Sequence, residues 1–271
     1  MTADMAVSGL GVLDTGGAGS PVVLLHSLGA DHRMWRPQID ALACRHRVLA
    51  PDTRGHGVSR NSRSTLEPTI DGWVEDLVRV LDGAEVERAV LVGVSLGGIQ
   101  AVATAAAHPD RVTALVVADS FVELQPATAE AKIAGLVDTA GREGMAAVAE
   151  QYVAETVLRR PAPRAADDLR DAIAGMDPDD YAGAVTTCFR VRLADRLAAV
   201  HAPTLVVWGA LDRKTPRALS ERIAAGIDGA RLTDLPGAGH LSNVDEPDAF
   251  TAVVAGFLDS LTTATSSDER R

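Results

Sequence analysis

Cysteine is scarce in this sequence: Cys44 and Cys188 stand alone among 271 residues, in neither a C-x-x-C pair nor a cluster with histidine. That leaves no zinc or thiol-redox motif, and both are read as reduced thiols. Long apolar runs are missing too: none approaches 18 residues, so no membrane span is expected. Met1-Thr2-Ala3-Asp4-Met5 has neither the basic stretch nor the apolar core of a signal peptide, and a cytoplasmic protein is expected. No basic stripe appears, and 37 acidic against 26 basic residues give a formal net charge of −11. Nucleic acid is therefore not an expected partner, and the acidity serves mainly solubility. There is no P-loop and no Gly-x-Gly-x-x-Gly after a strand, so no nucleotide cofactor is expected. No metal site is expected either, since Asp177, Asp179 and Asp180 flank Pro178 and read as a solvated turn. Internal repeats are absent. What remains is ordinary for a globular protein, with 46% apolar and 23% charged residues, in a length that suits one α/β domain.

Read in order, the chain alternates. Residues 5–13 suggest an edge strand, followed by a turn-rich loop to Ser20. Pro21-Val22-Val23-Leu24-Leu25 is continuously apolar, as a strand covered on both faces must be. A helix is predicted from Trp35 to Ala43, a strand at Val48–Ala50, an irregular stretch over 58–68, and an amphipathic helix from Ile70 to Leu81. Ala89–Val92 reads as a strand and the residues after Leu96 as a helix that Pro109 stops. Val112–Ala118 is a further strand. This alternation predicts a mostly parallel sheet with helices on both faces. It lapses between 121 and 200, where helical segments near 127–140, 143–158, 164–175 and 179–192 are punctuated by Pro161, Pro163 and Pro178. That insertion is too long for one crossover and is read as a helical lid placed before the last two strands. Residues 1–120 and 201–271 then form the core. Strands at Pro203–Trp208 and Ala230–Leu235, helices at 216–227 and 247–261, and a frayed polar tail over 263–271 complete the reading.

The chemistry gathers around Gly93-Val94-Ser95-Leu96-Gly97. A strand precedes it and a helix follows, the context in which a G-x-S-x-G turn presents its serine as a nucleophile. The turn is so tight that a Cβ at either glycine would collide with neighbouring backbone. A serine hydroxyl needs a base in reach and an acid to orient that base. His240, in a Gly-x-Gly-His loop after the last strand, is the candidate base. Asp212, after the strand that ends at Trp208, is the candidate acid, and Asp119, which also ends a strand, is its rival. All three loops belong to the carboxyl edge of a parallel sheet. The amides of Leu96 and of Leu28, in His26-Ser27-Leu28-Gly29, are the candidate oxyanion donors. His26 and His56 read as loop-packing residues.

Taken together, His26-Ser27-Leu28-Gly29, Asp52-Thr53-Arg54-Gly55-His56-Gly57, Gly93-Val94-Ser95-Leu96-Gly97-Gly98, Gly209-Ala210-Leu211-Asp212 and Gly239-His240 resemble the α/β-hydrolase superfamily across nearly the whole chain outside the lid. The resemblance implies the α/β-hydrolase fold and a Ser95–His240–Asp212 triad, in the chain order nucleophile, acid, histidine. Within the superfamily, Ser27-Leu28-Gly29 leading to Met34-Trp35, Asp52-Thr53-Arg54-Gly55-His56-Gly57 and Gly239-His240-Leu241-Ser242-Asn243 resemble the 3-oxoadipate enol-lactonases. The elbow departs from them in carrying Leu96 where methionine is usual. The subgroup implies a five-membered enol-lactone as substrate, with Ser27 and Trp35 placed beside it.

The resulting expectation is a serine hydrolase of a small ester or lactone. A same-fold enzyme of other chemistry, such as a C–C hydrolase, perhydrolase or biosynthetic cyclase, is the alternative, and a non-catalytic small-molecule binder is disfavoured by the intact Ser, Asp and His. A carboxylate substrate would need a cation, for which Arg33, Arg54, Arg190 and Arg192 are the candidates. Residues 121–200, where substrate choice would be decided, carry no motif.

Overall fold

In the computed structural model, residues 3–7, 9–61, 68–158 and 163–268 are described. Part of the irregular stretch (62–67), Pro161 and the last three residues of the tail lie outside them. Eight strands form one sheet: β1 (Ala3–Val7), β2 (Leu10–Asp14), β3 (Pro21–Leu25), β4 (Arg47–Pro51), β5 (Ala89–Val94), β6 (Val112–Ala118), β7 (Thr204–Gly209) and β8 (Arg231–Leu235). Their order is β1-β2-β4-β3-β5-β6-β7-β8. The pairs β1–β2 and β2–β4 are antiparallel and the rest are parallel. The single edge strand read over 5–13 is in fact a hairpin. Gly9, at φ +85°, turns the chain back on itself, a conformation a Cβ resists.

The β-strand side chains divide between two cores. In β5, Ala89 and Leu91 join one, while Val90, Val92 and Val94 join the other. Helices α2 (Ile70–Gly83), α3 (Leu96–Ala107) and α8 (Arg217–Gly226) cover the first face, and α1 (Arg36–Leu42), the single turn α9 (Ser242–Asp245) and α10 (Pro247–Asp268) the second. Thr69 caps α2 by accepting the Gly72 amide at 3.0 Å, and its buried stripe is Trp73, Leu77, Val80 and Leu81, as the period of 3.6 demands. On the other face α10 buries Phe250, Val254, Phe257 and Leu258. Each such side chain contributes roughly 1.5–3 kcal/mol. The helix runs on past 261, where the sequence reading stopped it, to Asp268.

Between β6 and β7 the described residues form four α-helices, α4 (Pro126–Glu143), α5 (Met145–Thr156), α6 (Pro163–Ala174) and α7 (Pro178–Phe189). Asp177 caps α7 through the amides of Asp179 and Asp180, which is what the acidic turn is for. The two ends of this insertion meet: Glu123 and Arg192 form an antiparallel bridge, and the Leu193 amide donates to the Val122 carbonyl at 2.9 Å. No helix among the described residues is long and apolar enough to cross a membrane.

Candidate active site

Register aligns the carboxyl ends of the central strands. Leu25 pairs with Gly93, Gly93 with Val117, and Val117 with Val206. The chain leaves each strand at the same edge, so loops distant in sequence converge. Ser95 sits between β5 and α3 at φ 56°, ψ −115°, a strained conformation for a residue with a side chain. What holds it there is backbone. Its amide donates to the Ala118 carbonyl at 2.9 Å, and Ser120 Oγ donates to its carbonyl at 2.6 Å. A Cβ at Gly93 would fall on the Gly97 carbonyl, and one at Gly97 on the Leu25 carbonyl.

Ser95, His240 and Asp212 meet at this edge. His240 Nε2 lies 3.1 Å from Ser95 Oγ, and His240 Nδ1 lies 2.9 Å from Asp212 Oδ2. Asp212 accepts four donors in all. The amides of Lys214 (2.7 Å) and Thr215 (3.0 Å) go to Oδ1, while the Thr215 hydroxyl shares Oδ2 with the imidazole. Burial pushes the Asp212 carboxyl up, but the His240 contact and the Thr215 donors outweigh it and hold it below the usual carboxylate range.

The rival acid does something else. Asp119 accepts the amides of Gly209 at 2.8 Å and Ser242 at 3.0 Å, so it ties together the loops that carry Asp212 and His240 without touching the imidazole. Complete burial, and then the nearby Asp212 charge, push its pKa up to about 7.

A cavity of about 180 Å³ opens above Ser95 and His240 and is also lined by Ser27 and Leu28. That is below the roughly 300 Å³ at which drug-sized sites begin, so a small molecule is what it fits. Leu96 opens α3, where an amide has no acceptor within the helix. The loop bearing Leu28 is folded by the Ala30 amide donating to the Ser27 carbonyl at 3.0 Å. His26 braces that loop: Nδ1 donates to the Ser27 carbonyl (2.8 Å) and Nε2 accepts the Thr53 amide (2.9 Å). His56 is fully buried, and burial followed by the proximity of His26 lowers its pKa to about 3. Both histidines pack loops, as read.

Two readings need correction. Trp35 lies on the other side of the sheet, fully buried with its ring 5.9 Å from that of Phe250, so it is core and does not line the cavity. None of the four arginines lines it either, because each has a carboxylate elsewhere: Asp31 for Arg33, Asp76 for Arg54, Glu130 for Arg190 and Glu123 for Arg192. The cations in the wall are Lys132, from α4, and Lys214. Tyr152, which no sequence motif marks, lines the cavity too. It reaches from α5 to place its hydroxyl 2.9 Å from Ser27 Oγ. The second cysteine, Cys188, is in the wall as well, its thiol pushed up to about 12 by burial. Helical periodicity cannot say which buried stripe of an insertion faces a cavity, but the rarity of lysine in this chain was a usable signal.

Comparison with known proteins agrees with this geometry. The profile of the alpha/beta hydrolase fold matches residues 20–247. The RutD protein of Azorhizobium caulinodans, a candidate carbamate hydrolase, is 31% identical, with 89% of this chain and 92% of its own covered. A 2-hydroxymuconate semialdehyde hydrolase of Pseudomonas is 30% identical, with 91% and 89% covered. Among solved structures, the enol-lactonase from Burkholderia xenovorans superposes with a TM-score of 0.83 at 30% identity, covering 95% of this chain and all of that one (100%).

Proposed function

The chain belongs to the α/β-hydrolase family, and from that premise we propose that it cleaves a small ester or lactone through a Ser95–His240–Asp212 triad. The observation that carries this is the unbroken contact from Ser95 Oγ through both imidazole nitrogens to Asp212, at 3.1 and 2.9 Å, opening on one small cavity. Ser95 Oγ attacks the carbonyl carbon as His240 Nε2 takes its proton. Asp212 holds the imidazole with its Nδ1 proton inward and stabilises the imidazolium. The carbonyl oxygen, now an anion, is held by the Leu28 and Leu96 amides, a type of contact worth about 10²–10³ in rate. His240 returns the proton to the leaving oxygen. Water, activated the same way, then releases the acyl group from Ser95.

Within this class the reading we favour is an enol-lactone of the 3-oxoadipate type. The motifs around Ser27 and His240, and the similarity to the Burkholderia enzyme, support it. The helices between β6 and β7 act in this reading as the lid that closes the cavity. A second reading, hydrolysis of a semialdehyde substrate on the same residues, is favoured by the similarity to the Pseudomonas enzyme. Turnover of p-nitrophenyl acetate by wild type and Ser95→Ala tests the mechanism, and equal rates would sink it. Loss of enol-lactone absorbance, set against a panel of ester and semialdehyde substrates, decides between the two readings.

A further inference from the structure

Of the 26 basic residues in this chain, 24 are arginines; the two lysines are Lys132 and Lys214. Both line the cavity that holds Ser95 and His240. Elsewhere arginine makes the ion pairs, with Asp14, Asp31, Asp76 and Asp82 among its partners. The two lysines keep different company. Lys214 Nζ lies 2.8 Å from Glu155 and 5.5 Å from the Tyr152 ring centroid, so its charge is matched. Lys132 has no ion pair or hydrogen bond among the described residues, and Phe189, with its ring centroid 5.7 Å from Nζ, is the aromatic it faces. Leu124, Leu136 and Phe189 make the lining apolar around these charges. Lys132, Lys214 and Glu155 leave the lining with a formal charge of +1, and Glu155 and the Asp212 carboxylate behind His240 act on Lys132 through space without an ion pair.

A half-buried ammonium without a counter-ion is costly, and it is retained where something supplies the charge. Here burial, and then the charge of Lys214, hold the Lys132 ammonium below its ordinary range. A guanidinium would bring a planar fork suited to bidentate pairing. An ammonium is a compact point charge on a flexible stem and suits one small anion in a tight space. A phosphate would need more donors than one ammonium offers, whereas a carboxylate needs one good partner and tolerates apolar walls.

We propose that Lys132 is the counter-ion for a carboxylate on the substrate, so that the site selects small esters or lactones that carry a free carboxylate over neutral ones. This deepens the hydrolase reading and rests on it for the identity of the reacting bond. The anion site itself stands or falls separately, on binding.

The test pairs monomethyl glutarate with methyl valerate, which have the same acyl length and differ in the terminal carboxylate. Acid release is followed by titration for wild type, Lys132→Met and Lys132→Arg. Wild type should favour the glutarate ester in kcat/KM by about tenfold or more. Lys132→Met should lower the glutarate-to-valerate ratio by a similar factor, and Lys132→Arg should keep part of it. Using the ratio cancels any general damage from the substitution. Calorimetric binding of free glutarate gives a readout that needs no turnover, and Kd should rise about tenfold in Lys132→Met. A wild-type ratio of one or less, a ratio unmoved by Lys132→Met, or glutarate bound alike by both proteins or by neither, each overturns the proposal. Failure to cleave either ester, with glutarate binding weakened in Lys132→Met, overturns the hydrolase reading for these esters and leaves the anion site standing.

Discussion

Replacing Asp212 by asparagine isolates the orienting role of the acid, because the surroundings dictate how the amide must lie. Asp212 Oδ1 accepts two backbone amides, from Lys214 and Thr215, and neither can become an acceptor. The asparagine oxygen must therefore stay on that side. Its NH2 is then left facing His240 Nδ1, where Oδ2 had been 2.9 Å away. An NH2 can only donate, so Nδ1 must accept and the imidazole proton moves to Nε2. That nitrogen is the one 3.1 Å from Ser95 Oγ. A protonated Nε2 cannot take the serine proton, and base catalysis is lost although every heavy atom is in place. In a serine protease triad the same exchange costs about 10⁴ in kcat, or roughly 5 kcal/mol at 1.36 kcal/mol per decade. The fold should hold, since both backbone donors keep their acceptor and the Thr215 hydroxyl can turn to accept from the new NH2. The assay is initial-rate hydrolysis of p-nitrophenyl acetate beside a thermal melt. Asp212→Asn retaining more than a tenth of the wild-type rate, with an unchanged melt, would refute the tautomer argument.

Three further outcomes are expected. Gly97→Ala forces a Cβ onto the Leu25 carbonyl, and the elbow must shift; the ester rate should fall by about 10² with a lowered melting temperature, and a normal rate would mean the elbow has room. Tyr152→Phe leaves the buried Ser27 hydroxyl without its 2.9 Å partner; urea titration should register a loss of about 1 kcal/mol, and no loss would show that the contact contributes nothing to stability. Opposite linkages act at acid pH. His56, depressed from 6.5 to about 3, gives stability that is present above pH 6.5 and lost as pH falls toward 3. Asp119, raised from 3.8 to about 7, gives stability that is present below pH 3.8 and lost as pH rises toward 7. Near pH 5 the two cancel, one proton taken up on unfolding against one released. Asp119→Asn removes the release, so its unfolding free energy should rise with pH more steeply than that of wild type, by roughly 1.4 kcal/mol per pH unit between pH 4.5 and 6; parallel urea-derived profiles would count against the buried, protonated Asp119.

The proposed triad was legible in the sequence because each member follows an apolar run, and a parallel sheet brings the ends of such runs to one edge. Ser95, Asp212 and His240 are marked by that grammar and by the glycines around them. The insertion was legible as helices and opaque as a wall. Its buried residues pack against the core and against the cavity with the same period, so nothing separated Tyr152 from ordinary packing positions, and Lys132 was marked only by the rarity of lysine. Trp35 misled for the converse reason. It follows the loop of Ser27 and Leu28 closely in sequence, but the turn from His32 to Trp35 points it to the opposite face of the sheet. The arginines misled because charge in a sequence does not reveal which charges are already matched. The hairpin at the N-terminus was hidden by its brevity: Gly9 reverses the chain within a run that alternates as one strand would.

The meeting of Glu123 with Arg192 has a consequence for how such a chain can change. The backbone between them leaves the sheet and returns at one post, so the strand order is closed without it. A different set of helices spliced at that post would meet the same closure distance and the same paired backbone. Beyond the post, the insertion packs buried side chains such as Ile133, Val148 and Val185 into the core of the first face and adds single contacts, among them Arg36 with Asp168 at 2.6 Å and the Leu158 amide with Asp245 at 3.1 Å, so a replacement must supply a matching apolar face. Lys132 and Tyr152 travel with the excursion; Ser95, Asp212 and His240 stay behind. Under the proposed function, the excursion carries the residues that choose the molecule and the sheet edge those that cut it, and a laboratory graft at residues 123 and 192 would exchange the first while keeping the second.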